Sequence, residues 1–264
     1  MTNSIPDTKA TWRTVAAEEI RDLWVRGPGL WVLLVLAIIL SVSTIVLART
    51  AAVNLLDARE GALVLVRLAS GLGAVLALLY GADALSGERD RGTLEPLLLT
   101  PVARRDLVIG KLVAALTLWV AGFALTIPYL SVVGMASGIT GAAVIASGIA
   151  GALASLFLGS VGIAISVRSR SNRSSLLASL LVLAILTFPG LIPSSSVNAG
   201  FVAFVTRADP IASLLRFLNG VVVDELPISA ELDWLPIPAL LAVGAVLIAA
   251  ALGRQIALEP GKAE

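Results

Sequence analysis

The chain has no cysteine and no histidine, and only two methionines, one of them Met1. Those absences exclude disulfides, thiol nucleophiles, imidazole acid–base chemistry and nearly all zinc or haem ligation. A serine–histidine hydrolase and a zinc-dependent intramembrane protease are excluded with them, and so is copper binding by this chain. Aspartyl chemistry needs two carboxylates at membrane depth, whereas Asp83 sits at the edge of an apolar run. Charge is scarce too: 14% of residues are charged and 58% are apolar. Soluble domains run at about 25% and about 45–50%. These absences leave transport, binding or scaffolding in a membrane.

What is there is apolar length, with a mean hydropathy of +0.96. No charge occurs in 27–48, 68–82, 112–167, 174–206 or 234–253. All but the second of these runs reach 20 residues, about the length that crosses the hydrocarbon core. The 56-residue run is too long for one span, and Pro128 and the Gly134–Gly138 region are expected to break it. The reading is an all-α membrane protein with six transmembrane helices, at 30–48, 62–82, 109–130, 139–167, 175–192 and 236–254. Residues 1–6 lack the basic-then-apolar pattern of a cleaved signal peptide, so the first span is expected to stay in the mature protein.

Orientation follows from lysine and arginine. With both termini cytoplasmic, 14 of the 19 basic residues fall inside, including Arg89, Arg91, Arg104, Arg105, Lys111, Arg168, Arg170, Arg173 and Arg254. Arg67, within the second span, is expected to snorkel to the outer face. The net charge of +1 hides this two-sidedness.

Two surface helices are expected. In the N-terminal tail Trp12, Ala16, Ile20, Leu23 and Trp24 share one face, which Arg13 interrupts; such a helix suits the headgroup layer. Gly27-Pro28-Gly29 breaks it. Farther on, Asp209 is placed to cap a helix with Pro210 at its first position. Ile211, Leu214, Leu215, Leu218 and Val222 follow at helical spacing, with Ser213 and Arg216 facing away. That helix is expected across the outer ends of the last two spans. In the fourth span Ala143, Ser147, Gly151, Ser155 and Gly159 recur every four residues, which fits tight packing within the bundle or a dimer interface.

The most specific segment runs from Ser86 to Lys111. A polar turn, 87–92, leaves the membrane; Thr93 is placed to cap a short helix over 94–99; Pro101 ends it; Arg104 and Arg105 return the chain to the headgroups. Three leucines at 97–99 are unexpected in a loop facing water, and such a patch calls for a protein partner. Gly110-Lys111 raises the idea of a phosphate-binding loop, but Arg105 stands where its first glycine belongs and Leu112 where Ser or Thr belongs.

This segment, with Gly-Thr-Leu-Glu at 92–95, Leu-Leu-Leu-Thr-Pro at 97–101, then Arg104, Arg105 and Gly110-Lys111, closely resembles the hallmark of ABC-2 type transporter permeases. Within that family the chain is most similar to the small permeases of the Nos Y and Nat B kind; Pro96 departs from the usual apolar residue. The resemblance implies a single ABC-2 transmembrane domain over 1–264, with an interface helix at 11–26 and a coupling helix at 92–100. It implies a homodimer in the cell membrane, in contact with lipid, working with two copies of a cytoplasmic ATP-binding subunit. ATP and Mg would lie in that subunit; no cofactor, metal or catalytic residue is expected here, and no nucleic-acid partner. The ATPase-coupling interface would comprise Glu88, Gly92, Thr93, Leu94, Glu95, Leu98, Pro101, Arg104 and Arg105, and the interface helix would use Trp12, Ile20, Leu23 and Trp24. An exporter of hydrophobic or amphipathic cargo follows, since the spans offer almost no buried charge for a hydrophilic solute. Two alternatives stay open: a non-transporting scaffold or sensor that recruits a cytoplasmic partner, and a Nos-type mechanical coupler to a periplasmic assembly protein.

Overall fold

Within hydrocarbon every backbone N–H and C=O must be satisfied inside its own segment, so apolar runs become helices. The computed structural model describes residues 11–52, 58–99, 102–134, 138, 140–188, 204 and 206–255, and these contain helices and no strand. In chain order they are α1 (Thr11–Arg21), a π-helical turn (Asp22–Arg26), α2 (Gly29–Ala52), α3 (Ala58–Asp90), α4 (Leu94–Leu98), α5 (Arg104–Gly134), α6 (Thr140–Arg168) and α7 (Asn172–Thr187). Then follow α8 (Pro210–Val222), α9 (Ile228–Glu231), a 3-10 turn (Leu232–Trp234) and α10 (Pro236–Gly253).

Five of these, α2, α3, α5, α6 and α10, are long and apolar enough to cross a membrane. α7 has 16 residues, about 24 Å at ~1.5 Å each, short of a ~30 Å core. The expected fifth span, 175–192, continues onto residues outside those described. Pro128 does not break its run: it lies inside α5, which continues to Gly134. A proline inside a membrane helix leaves only the carbonyl one turn earlier without its donor, a cost that a packed bundle tolerates. α3 and α5 also run well past the apolar windows into charged sequence, because hydropathy marks only the part in hydrocarbon.

α3 and α6 form the centre. The small-residue stripe on α6 is buried along its whole length and faces into the bundle. At Gly162 an added Cβ would run into the Leu78 carbonyl oxygen, and at Gly81 one would lie 2.5 Å from Gly159 O. Backbones this close tolerate only glycine, and the closeness brings extensive dispersion contact. A hydroxyl fastens the same crossing, Ser166 Oγ accepting from Ser86 N at 2.8 Å; Ser86 Oγ donates to Ala82 O within α3 at 2.6 Å, and Ser175 Oγ of α7 donates to the same carbonyl at 2.7 Å. α7 is joined there through Asn172, whose Nδ2 donates to Asp83 at 2.6 Å. Its own start is a Ser171–Ser174 capping box.

α8 begins as its sequence requires. Asp209 Oδ1 accepts from Ile211 N at 2.8 Å and Ala212 N at 3.3 Å, with Pro210 at the first position. Leu214, Phe217, Leu218, Val221 and Val222 are buried against the core that α3 and α6 build, rather than chiefly over the last two spans. Ser213 does not face away. It is buried, and its hydroxyl donates to Thr206 O at 2.8 Å and Arg207 O at 3.2 Å, so two carbonyls replace the water it gives up.

The bundle has two distinct polar ends. α1, the α3–α5 connection, the α6–α7 turn and the last turn of α10 share one. At the other, Arg59 pairs with Glu225 at 2.6 Å and the Arg207 guanidinium sits 5.3 Å from the Trp234 ring centroid.

Candidate functional site

The Ser86–Lys111 segment is mostly helix. α3 continues through the expected polar turn to Asp90, stiffened by an Arg91–Asp83 pair at 3.1 Å. Gly92 then takes φ 71°, the left-handed region where glycine carries no Cβ penalty. Thr93 stands at the start of α4 without capping it; its hydroxyl instead donates to Glu88 O at 3.3 Å. Pro96 falls within the first turn of α4, where the N–H it lacks has no intrahelical acceptor, so the helix forms around it.

The faces of α4 decide which residues reach the surface. Leu94, Leu97 and Leu98 stand at i, i+3 and i+4 and share one side. Leu94 is buried, and Leu97 and Leu98 are half-buried, against a cluster with Leu107, Val108 and Ala249. Glu95 and Pro96 are exposed, and Leu99 is 75% exposed. Arg104, half-buried, and Arg105, exposed, open α5. Pro101 lies outside the described residues. Of the expected interface set, Gly92, Thr93, Glu95 and Arg105 are therefore at the surface, and Leu94 is in the core.

The N-terminal helix turns its apolar side onto α5. Ala16 and Leu23 are buried, Ile20 and Trp24 half-buried. An added Cβ at Gly110 would lie 2.5 Å from Val15 Cγ1, so glycine sets how closely α1 rests on α5. Trp24 Nε1 donates to Thr117 Oγ1 at 3.0 Å. The π-helical turn, a feature that often marks functional positions, rotates Leu23 and Trp24 onto this surface. Trp12, at the far end, is exposed, with the Arg13 guanidinium 5.4 Å from its ring centroid.

Behind both elements lies a buried charge cluster. Lys111 is 2% exposed, and its Nζ donates to Glu19 at 2.6 Å and Glu88 at 2.5 Å. Tyr80 donates to the second oxygen of Glu19 at 3.2 Å. One ammonium thus ties the N-terminal helix (Glu19), the end of α3 (Glu88) and the start of α5 together. A buried charge is tolerable only when paired and hydrogen-bonded, which makes this joint obligatory for the fold. It also engages Lys111 Nζ fully with carboxylates rather than leaving it for a phosphate. The pairing of Lys111 with Glu19 and Glu88, and the Tyr80 hydrogen bond to Glu19, were missed in sequence. A signal existed for the joint: Lys111 is the lone charge opening a 56-residue uncharged run, and such a cation needs a counter-charge from elsewhere.

Comparison with known families bears on what these elements belong to. A family model described as ABC-2 family transporter protein matches residues 13–252. No curated protein matches the chain. The matched stretch begins within α1 and ends within α10, so it takes in the interface helix, α4, the lysine joint and every long apolar helix. Five helices long and apolar enough to cross a membrane lie within that match or end beside its limit, and the chain belongs to the ABC-2 family of transporter proteins, as a multi-pass membrane component of an ABC transporter.

Proposed function

We propose that this chain is the permease of an ABC-2 exporter. Two copies line the path, and two copies of a cytoplasmic ATP-binding subunit hold ATP and Mg and supply the work. The termini and the α4 end of the bundle face the cytoplasm, in keeping with the concentration of arginine and lysine there. The cargo is hydrophobic or amphipathic.

The observation that carries this reading is α4 itself. It is a short helix whose inner side is locked into the bundle by Leu94 and whose outer side leaves Glu95, Pro96 and Leu99 exposed. A free leucine on a rigid polar end is suited to a pocket on a cytoplasmic subunit. Force applied to α4 passes through the Gly92 turn to α3. Force applied to the interface helix reaches α5 through Trp24–Thr117, and the Lys111 joint makes the two paths move together. Coupling between bistable packed elements of this kind is how small displacements become tilts of whole helices.

The test uses the full chain with its ATP-binding subunit. Leu99→Asp with Glu95→Lys is expected to abolish co-purification of that subunit and ATP-dependent activity in liposomes, with thermal stability unchanged. Intact binding and activity in that variant would overturn the assignment. A partner without a phosphate-binding loop would favour the scaffold reading.

A further inference from the structure

A recess of about 620 Å³ opens on the side of the bundle between α6, α7 and α10. Its walls are apolar, with Phe157, Val161, Val182, Leu241 and Ile248 among them, and Arg168 and Ser169 stand at its mouth. Its volume lies within the ~300–1,000 Å³ of small-molecule sites. Along α6 it runs from Phe157 to Arg168, about 16 Å at ~1.5 Å per residue. That is one leaflet's share of a ~30 Å hydrocarbon core. The length suits a single acyl chain and is too short for a segment crossing the whole bilayer.

Arginine predominates at the mouth. Arg168, Arg170, Arg173 and Arg254 are all exposed at this end, and among the described residues none of them forms an ion pair. The Arg89 guanidinium is also here, donating to Ser169 O. The neighbouring acid, Asp90, accepts from Asn172 N at 2.8 Å. Guanidinium groups match phosphate oxygens in geometry as well as charge, and a cluster of this kind beside hydrocarbon attracts anionic headgroups.

We propose that the α6–α7–α10 groove holds one anionic membrane phospholipid, its acyl chain along Phe157, Val161, Leu241 and Ile248 and its phosphate at Arg168. The site is independent of which cargo the protein carries. Gly244 offers a clean obstruction: it lines the groove, and an added Cβ there would meet nothing within 4 Å. A leucine at 244 therefore projects into the recess from a backbone position with room for its Cβ.

The experiment is native mass spectrometry of the purified full-length chain, which reads bound lipid and oligomeric mass together. Phosphatidylglycerol and phosphatidylcholine of identical acyl chains are the probes. Wild type is expected to retain phosphatidylglycerol preferentially. Arg168→Gln should lower that retention about fivefold, the worth of one arginine near a membrane surface, and narrow the preference for phosphatidylglycerol over phosphatidylcholine. Gly244→Leu should remove both lipids with thermal stability maintained. Equal retention of the two lipids by wild type, or wild-type retention by both variants, would overturn the proposal. So would a Gly244→Leu variant that loses oligomeric mass while keeping its lipid, since the groove would then seat a second copy of the chain.

Discussion

Replacing Lys111 by methionine tests the joint between the interface helix and the bundle. The substitution keeps the length of the side chain and removes its charge. Two carboxylates then remain, Glu19 at 20% and Glu88 at 16% side-chain exposure, each without the cation that balanced it. Removing one partner of a buried pair costs about 3–5 kcal/mol. Both acids keep an edge toward water and each can take up a proton, which favours the lower end, about 3 kcal/mol. At ~2–4 °C per kcal/mol for a chain of this size, the Tm in detergent should fall by about 6–12 °C. Tryptophan fluorescence in a background with the other four tryptophans replaced by phenylalanine is the assay, because Trp24 then reports whether the N-terminal helix leaves Thr117. The decisive comparison is Lys111→Met combined with Glu19→Gln and Glu88→Gln. With no charge left to bury, most of the lost stability should return. A Tm for Lys111→Met within about 1 °C of wild type, or a triple variant no better than the single one, would refute the reasoning.

Two further substitutions probe the frame. Gly162→Ala forces α3 and α6 apart at the Leu78 carbonyl and should destabilise by about 1–3 kcal/mol, read as a lower Tm; an unchanged Tm would show that the crossing has slack. At Asp209, burial raises the carboxyl pKa, partly opposed by the Ile211 and Ala212 N–H groups that stabilise its charged form. A folded pKa above the unfolded one means that the folded state binds the proton more tightly. The stability this gives is present below the unfolded pKa and is lost as pH rises through the folded one. Asp209→Asn caps comparably and does not titrate, so relative to wild type it should gain Tm as pH is raised from 4 to 8. Asp209→Ala should lose about 1 kcal/mol of capping. A wild-type-minus-Asn difference that is flat with pH would contradict the shift.

The residues legible in sequence were those whose role is local. Asp209-Pro210 caps α8 from its own chemistry, Gly92 supplies its own left-handed turn, and the long apolar runs become helices because hydrocarbon allows the backbone no other partner. Pro128 misled because a proline's penalty is one lost backbone bond, which a long helix packed in a bundle tolerates, and that packing is tertiary. Ser213 misled for a related reason: its burial depends on two carbonyls delivered by Thr206 and Arg207.

The faces of the α4 segment mark the boundary most sharply. Three consecutive leucines signalled an apolar patch that wants a partner. Which of them stays exposed depends on where the Gly92 turn aims α4 against α5 and α10, and that aim half-buries Leu97 and Leu98 while leaving Leu99 at the surface. The sequence by itself determined the solvent, the helices and the family, because these follow from composition, from period and from a contiguous motif. Only the tertiary structure decided that Lys111, 92 positions from Glu19 and 23 from Glu88, closes one buried joint between them. A charge in low dielectric must find its counter-charge wherever the fold brings it, and sequence separation carries no record of that meeting.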